Sequence, residues 1–144
     1  MKRDAMFEYF EPWAEERHVQ LNRSGQMPQV RGDRLMLRRA FSNLLSNAIR
    51  HTTSEQAVTV SLRQEQKSAV ITVTNPGDTV APEHLPHLFD RFYRVDPSRQ
   101  RNGDGAGLGL AIVKSIIETH GGEIAVHSTN GLTAFEIRLP REMT

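Results

Sequence analysis

Cysteine is absent from this chain of 144 residues, so disulfides, thiolate metal sites and cysteine nucleophiles are excluded. Charge of one sign is not in excess, because 18 lysines and arginines face 17 aspartates and glutamates and leave a formal net charge of +1. That balance predicts no general affinity for nucleic acid. No hydrophobic run approaches the ~20 residues of a membrane helix. The acidic N-terminal segment is also unlike a signal peptide. We therefore expect a cytoplasmic chain, or the cytoplasmic part of a longer protein.

The hydrophobic pattern that is present predicts alternating helices and strands within one domain, residues 1–144. Apolar residues at helical or alternating spacing predict helices over 2–17, 32–52 and 108–122, a short strand over 18–23, and hairpins over 57–75 and 123–140. Asp33 is a candidate helix cap. The fold class that follows is a two-layer α/β sandwich, with an antiparallel-rich mixed sheet of about five strands covered on one face by about three helices.

Residues 76–107 form a long stretch with four prolines and several glycines, in which only a short helix near 82–93 is predicted. Loops of this length usually have a function. The stretch leads into "RNGDGAGLGLAIVK", where alternating glycines precede a helix start. Glycine lets backbone approach a ligand closely, and a helix N-terminus attracts phosphate. The spacing fits neither a P-loop nor a dinucleotide-binding turn. A flexible loop followed by tight helix packing is the alternative.

Two asparagines interrupt the apolar helix "AFSNLLSNAIRH". Asn43 and Asn47 are four residues apart and therefore share one side of the helix. Asparagine is a mediocre helix former, so a pair in register needs a reason. An amide oxygen is a suitable ligand for Mg²⁺, which commonly shares its shell with phosphates and waters. The alternative is a pair of amides that are satisfied inside a helix–sheet seam.

Three segments in order give this chain a family resemblance that covers residues ~30–140. "FSNLLSNAIRHT" resembles the N box of sensor histidine kinases, "FDRFYR" resembles their F box, and "GDGAGLGLAIVKSIIETHGG" resembles their second glycine box. The chain looks like the catalytic and ATP-binding domain of such a kinase, in the wider group that includes gyrase. "FDRFYRVDPSR" with "NPG" is most similar to kinases that sense copper, silver or other heavy metals.

The resemblance implies roles for particular residues toward ATP or ADP and Mg²⁺. Asn47 would coordinate the metal and Asn43 would support the phosphate end, with Arg50 and His51 near the phosphates or ribose. Arg94 would meet the γ-phosphate. The remaining nucleotide-binding residues that it implies are Asn75, Gly77, Tyr93, Gly105, Ala106, Gly107, Leu108 and Gly109, the last five at the end of an ATP lid over about 82–107.

Two positions depart from the family or from its ATP-hydrolysing members. The family usually has aspartate where this chain has Asn75, so adenine recognition would rely on the amide oxygen while the NH₂ group finds another partner. Thr79 stands where a second glycine is common. The hydrolysing members carry a glutamate general base at the position of Asn43, and an amide cannot accept that proton.

None of the six histidines lies in the family's phosphoacceptor pattern. The resemblance therefore implies half an enzyme, in which residues 1–17 lead from a missing dimerisation domain and the phosphate passes to a histidine there. The implied partners are nucleotide, that domain and, through it, a response regulator, with the isolated domain a monomer and the parent a homodimeric inner-membrane sensor. The alternatives are a degenerate nucleotide-binding signalling module and an ATPase of the same group.

Overall fold

The computed structural model describes residues 5–26, 28–77, 79–91 and 109–141. In this part of the chain three helices and five strands follow one another. In chain order they are α1 (Ala5–Glu16), β1 (Gln20–Gly25), α2 (Arg34–His51), β2 (Ala57–Glu65), β3 (Ser68–Pro76), α3 (Gly109–Thr119), β4 (Glu123–Thr129) and β5 (Leu132–Pro140). Both predicted hairpins and the three long predicted helices are confirmed within these residues, while positions 2–4 and 108 of those helices lie outside the described residues.

The five strands form one mixed sheet in the order β1-β2-β3-β5-β4. β1 runs parallel to β2, and the other three pairings are antiparallel. A parallel pair needs a crossover connection, and α2 supplies it because it lies between β1 and β2 in the chain. The antiparallel-rich sheet expected from the alternating pattern is confirmed.

The core lies between this sheet and the helices. Alternate residues of β5 are buried, among them Phe135 and Ile137, as expected for a strand with one covered face. They join one cluster with the apolar stripe of α2, which includes Leu44 and Ile49, and with Ile117 of α3. The two-layer sandwich is therefore confirmed. Its stability rests mainly on apolar area removed from water at this seam.

Two helix ends show why the chain folds locally as its sequence predicts. The Asp33 side chain caps α2 by accepting a hydrogen bond of 3.0 Å from the Met36 N–H. After α3, Gly121 takes φ +77°, its N–H donates to Glu118 O, and the Gly122 N–H donates to Ile117 O. This is a Schellman ending, which favours glycine because it needs a positive φ.

The predicted short helix near 82–93 is reduced to a single 3₁₀ turn, Leu85–His87, within its described part. Pro86 lies inside this turn, and its ring disfavours helical backbone at the residue before it, so no helix that starts near residue 82 can continue through it. β1 also begins two residues later than predicted, because His18 takes φ +59° after α1. No helix in the described residues is long and apolar enough to cross a membrane.

Candidate functional site

The two asparagines of α2 differ in how the protein satisfies them. Both are half-buried on one side of the helix. The Asn43 Nδ2 donates to the backbone carbonyl of Gly109, at 3.4 Å. The Asn47 side chain has no hydrogen-bond partner among the residues that the structure describes. One amide therefore connects two helices, while the other keeps its oxygen and its NH₂ group available to a ligand.

Gly109 is the first residue of α3, directly after the segment 92–108 that falls outside the described residues. A Cβ added at Gly109 would meet nothing within 4 Å, and its φ lies outside the left-handed range. Packing does not therefore demand glycine here. A glycine that no described neighbour requires is consistent with backbone left open for a ligand.

The C-terminal end of α2 meets the end of β3. Gly77 has φ +155°, and a Cβ there would lie 3.0 Å from the backbone oxygen of His51, the last residue of α2. The Gly77 N–H donates to Gly131 O at 2.9 Å, in the β4–β5 turn. Gly77 is therefore held between a helix end and a turn, where the left-handed backbone and the close approach both favour glycine.

Asn75 lies just before this crossing, in β3, and is only 6% exposed. Its Nδ2 donates to the carbonyl of Pro76 at 3.2 Å. Its Oδ1 accepts no hydrogen bond from any described residue. The NH₂ group is thus satisfied within the protein. The Oδ1 atom remains available to accept a hydrogen bond from a ligand.

Arg50 and His51 continue the asparagine side of α2 toward its C-terminus. Arg50 is half-buried, and its backbone oxygen accepts a hydrogen bond of 3.0 Å from the Arg17 guanidinium, which ties α1 to α2. His51 is exposed. The site residues Tyr93, Arg94, Gly105, Ala106, Gly107 and Leu108, with the lid from 92 onward, lie outside the described residues.

The sequence did not predict how the β4–β5 turn supports this site. The Gly131 N–H donates to the hydroxyl of Thr79 at 2.7 Å, while the Gly131 carbonyl accepts from Gly77. Thr79, which stands where a second glycine is common, therefore holds the turn through its side chain. The pair Asn130-Gly131 signalled the turn through its positive φ preference, but not its contact with the segment after β3.

A second unpredicted connection holds the other end of α2. The Asp33 N–H donates to Nε2 of His120 at 3.0 Å, and the ring's Nδ1 lies 2.8 Å from the carbonyl of Ile116. To make both bonds, the ring accepts at Nε2 and donates from Nδ1. A Cβ at Gly32 would lie 2.3 Å from this ring, so only glycine fits beside it. His120 thereby joins the start of α2 to the end of α3.

Residues 32–143 match the family described as histidine kinase-, DNA gyrase B-, and HSP90-like ATPase. The chain belongs to this family. The match starts two residues before α2 and runs beyond β5, so it includes the whole arrangement of asparagines, turn and glycines described above. Relatives that match most of this chain are named as sensor kinases.

Sensor histidine kinase CusS of Escherichia coli (strain K12) is 55% identical over 135 residues, which are 94% of this chain and 28% of the relative. The probable sensor kinase SilS of Salmonella typhimurium is 54% identical over 112 residues, 78% of this chain and 22% of that protein. The chain therefore spans about a quarter of the length of these kinases.

Solved structures agree with this assignment. A mycobacterial sensor histidine kinase, MprB, superposes with a TM-score of 0.81 at 29% identity over 96% of this chain and 93% of that one. Full-length ShkA, solved in complex with AMPPNP, gives a TM-score of 0.83 at 25% identity over 97% of this chain and 29% of ShkA. The chain is thus similar to the catalytic domains of histidine kinases in fold as well as in sequence.

Proposed function

We propose that this domain binds ATP with Mg²⁺ and donates the γ-phosphate to a histidine on a separate dimerisation domain of a sensor kinase. The observation that carries the proposal is the half-buried Asn47 amide, which has no hydrogen-bond partner in the described part of the chain. An amide that contacts no described residue is available to a ligand, and its oxygen is of the kind that Mg²⁺ accepts. The AMPPNP held by the similar ShkA supports a nucleotide as that ligand.

The contacts suggest how the nucleotide is oriented. Asn75 and Gly77 lie beside the C-terminal end of α2. The Asn75 Oδ1 can accept a hydrogen bond from the amino group of adenine. Asn43 lies eight residues before His51, about 12 Å along the helix. Its contact with Gly109 brings the start of α3 to the same place. We therefore assign the adenine end to Asn75 and the phosphate end to Asn43.

The residues present fit a magnesium ion. Mg²⁺ prefers oxygen ligands in octahedral geometry and is commonly held by one or two protein groups together with phosphates and waters. Asn47 offers one amide oxygen between the two proposed ends of the nucleotide, and the phosphates would supply further ligands. When bound, the metal would screen the negative charge of the phosphates.

The other assigned residues surround the phosphates and the base. Arg50 and His51 approach the phosphates or ribose from α2, and Arg94 meets the γ-phosphate. Tyr93 belongs to the F box beside it. The backbone of 105–109 is assigned to the phosphates, because Gly109 begins α3 and the N–H groups of a helix start favour anions.

The reaction that we assign follows from the absence of a general base at position 43. A neutral imidazole nitrogen attacks the γ-phosphorus, the bond from that phosphorus to the β–γ bridging oxygen breaks, and ADP leaves with the electron pair. The imidazole N–H proton is then lost to solvent. Water would need a base to attack in the same way, and an amide at position 43 cannot act as one. The domain is therefore suited to hold ATP for an incoming histidine.

The proposal also names partners and a place in the cell. Residues 1–144 act as one catalytic unit, with α1 leading from the dimerisation domain, and the phosphate continues from the histidine to a response regulator. The unit works as a monomer when isolated and as part of a homodimeric sensor in the parent, on the cytoplasmic side of the inner membrane. Heavy-metal sensing by the parent is proposed from the resemblance of "FDRFYRVDPSR" and "NPG" to the corresponding segments of kinases that sense copper or silver.

The test uses γ-labelled ATP with the domain alone, with the parent's helical hairpin added, and with the hairpin plus Arg94→Ala. The domain alone should bind ATP but neither label itself nor release phosphate steadily. The hairpin should acquire acid-labile label, slowly because no tether joins the two parts, and Arg94→Ala should reduce that rate. Label on the lone domain would overturn the proposal. Nucleotide binding without any transfer would instead support a signalling module without catalysis, and steady phosphate release would support an ATPase.

A further inference from the structure

The solvent-facing first half of α2 carries an apolar and basic patch, which we define as Leu35, Met36, Arg38 and Arg39. Leu35 is 74% exposed and Met36 is 39% exposed, so two large apolar side chains face solvent next to each other. The two arginines are exposed, and neither makes a hydrogen bond or ion pair with a described residue. Nothing in the described fold therefore explains this combination of residues.

The charge of this region is strongly one-sided. Residues 31–39, "RGDRLMLRR", contain four arginines and one aspartate, a local formal charge of +3, whereas the whole chain has +1. Arg138 illustrates the contrast with Arg38 and Arg39, since it contacts Glu65 at 2.9 Å and Glu136 at 3.2 Å. A concentrated positive patch attracts an acidic surface and steers its approach.

The patch is continuous with the proposed nucleotide site. Met36 and Arg39 precede Asn43 by seven and four residues, so they lie on the same side of α2 as Asn43 and Asn47. The proposed phosphate end of the nucleotide is at Asn43. A protein that accepts the γ-phosphoryl group must bring its acceptor side chain to the phosphate end. The surface around that acceptor would then lie over the first half of α2.

We infer that this patch docks the helical hairpin that bears the phosphoacceptor histidine, through acidic side chains of the hairpin that flank an apolar one. The inference rests on the proposed function and names the surface that its partner uses. Arginine next to exposed apolar side chains is the composition typical of binding surfaces, since the apolar groups lose water and the arginines pair with carboxylates. Docking in this place would bring the acceptor ring to the phosphate end of the site.

The test measures phosphoryl transfer in trans from the 144-residue chain to the isolated hairpin of the parent kinase, with ATP saturating. Leu35→Ala and Arg38→Glu should each raise the KM for the hairpin by about tenfold, while the affinity for a fluorescent ATP analogue is unchanged. The KM of the wild type should also rise with salt, and that dependence should weaken in Arg38→Glu, because a screened attraction has been removed. Circular dichroism checks that both variants remain folded.

Lys67→Glu is the matched control. Lys67 is exposed in the β2–β3 turn, outside the patch, and its reversal changes the net charge by the same amount. If Lys67→Glu raised the KM as much as Arg38→Glu, the effect would be general electrostatics and the docking surface would be wrong. If the wild type transfers phosphate and the KM values of Leu35→Ala and Arg38→Glu equal its KM, the inference is also overturned. Failure of the wild type to transfer would contradict the proposed function itself.

Discussion

The side chain of Asn43 donates a 3.4 Å hydrogen bond to the backbone oxygen of Gly109, 66 residues further along the chain. This bond joins the middle of α2 to the first residue of α3, at the proposed phosphate end of the site. Asn43 therefore has a structural role in addition to its proposed place at the phosphate end of the nucleotide. The donor is the NH₂ group, so the role depends on an amide.

Asn43→Asp should destabilise the domain more than Asn43→Ala. Alanine removes the bond and costs about 0.5–1.5 kcal/mol, partly offset by better helix propensity. Aspartate places a carboxylate against the Gly109 oxygen, two acceptors that repel each other. Urea unfolding at neutral pH measures both free energies of unfolding. Equal stability of the two variants would show that the 3.4 Å contact is not a hydrogen bond that matters in solution.

Asn47→Ala should weaken Mg²⁺-dependent nucleotide binding, by roughly tenfold for one lost metal ligand. It should leave the melting temperature unchanged or slightly higher, because the amide has no partner to lose in the described fold and alanine favours helix by a few tenths of a kcal/mol. Calorimetric titration with ATP, with and without Mg²⁺, separates the two effects. A variant with the wild-type affinity in Mg²⁺ would remove Asn47 from the metal site.

Asn75→Asp should have opposite effects on the empty and the nucleotide-bound domain. Without ligand, a carboxylate that is almost fully buried and faces the Pro76 carbonyl loses the present hydrogen bond, so unfolding should become easier by about 1–3 kcal/mol. With ATP, the charged acceptor should bind the adenine amino group more strongly.

The measurement is the rise in melting temperature on adding ATP, which should be larger for the variant than for the wild type. GTP, which has an oxygen where adenine has the amino group, serves as the control and should give no such gain. A variant stabilised equally by ATP and GTP would place the base elsewhere.

Gly32→Ala should cost about 1–3 kcal/mol in the wild type, because its Cβ would lie 2.3 Å from the His120 ring. In a His120→Ala background the same change should cost much less, since the ring is gone. His120→Ala alone should also destabilise, because the Asp33 N–H loses its partner. A double-mutant cycle from chemical unfolding measures the coupling between these two residues. Additive costs would mean that Gly32 is not required by the ring.

The sequence by itself determined every element whose signal is local. The apolar periods of α2 and α3 depend on residues three and four apart, and the alternation of the two hairpins depends on residues two apart. Asp33 caps a helix three residues away, and Asn130 and Gly131 set their own turn. Such interactions act between neighbours in the chain, so the order of residues is enough to fix them. The local signal was weaker near Pro86, where the predicted helix became one turn.

Only the tertiary structure decided which distant groups meet. The N box and second glycine box predicted Asn43, Asn47 and Gly109 as site residues, but not that Asn43 binds the Gly109 carbonyl while Asn47 has no partner in the described fold. The bond between Asp33 and His120 spans 87 residues. The sheet order decides such contacts, because it sets which strand ends and helix ends are adjacent, and no periodicity within a segment contains that information. The sequence supplies the chemical groups, and the packing of α2 against the sheet and α3 determines which of them remain open to a ligand.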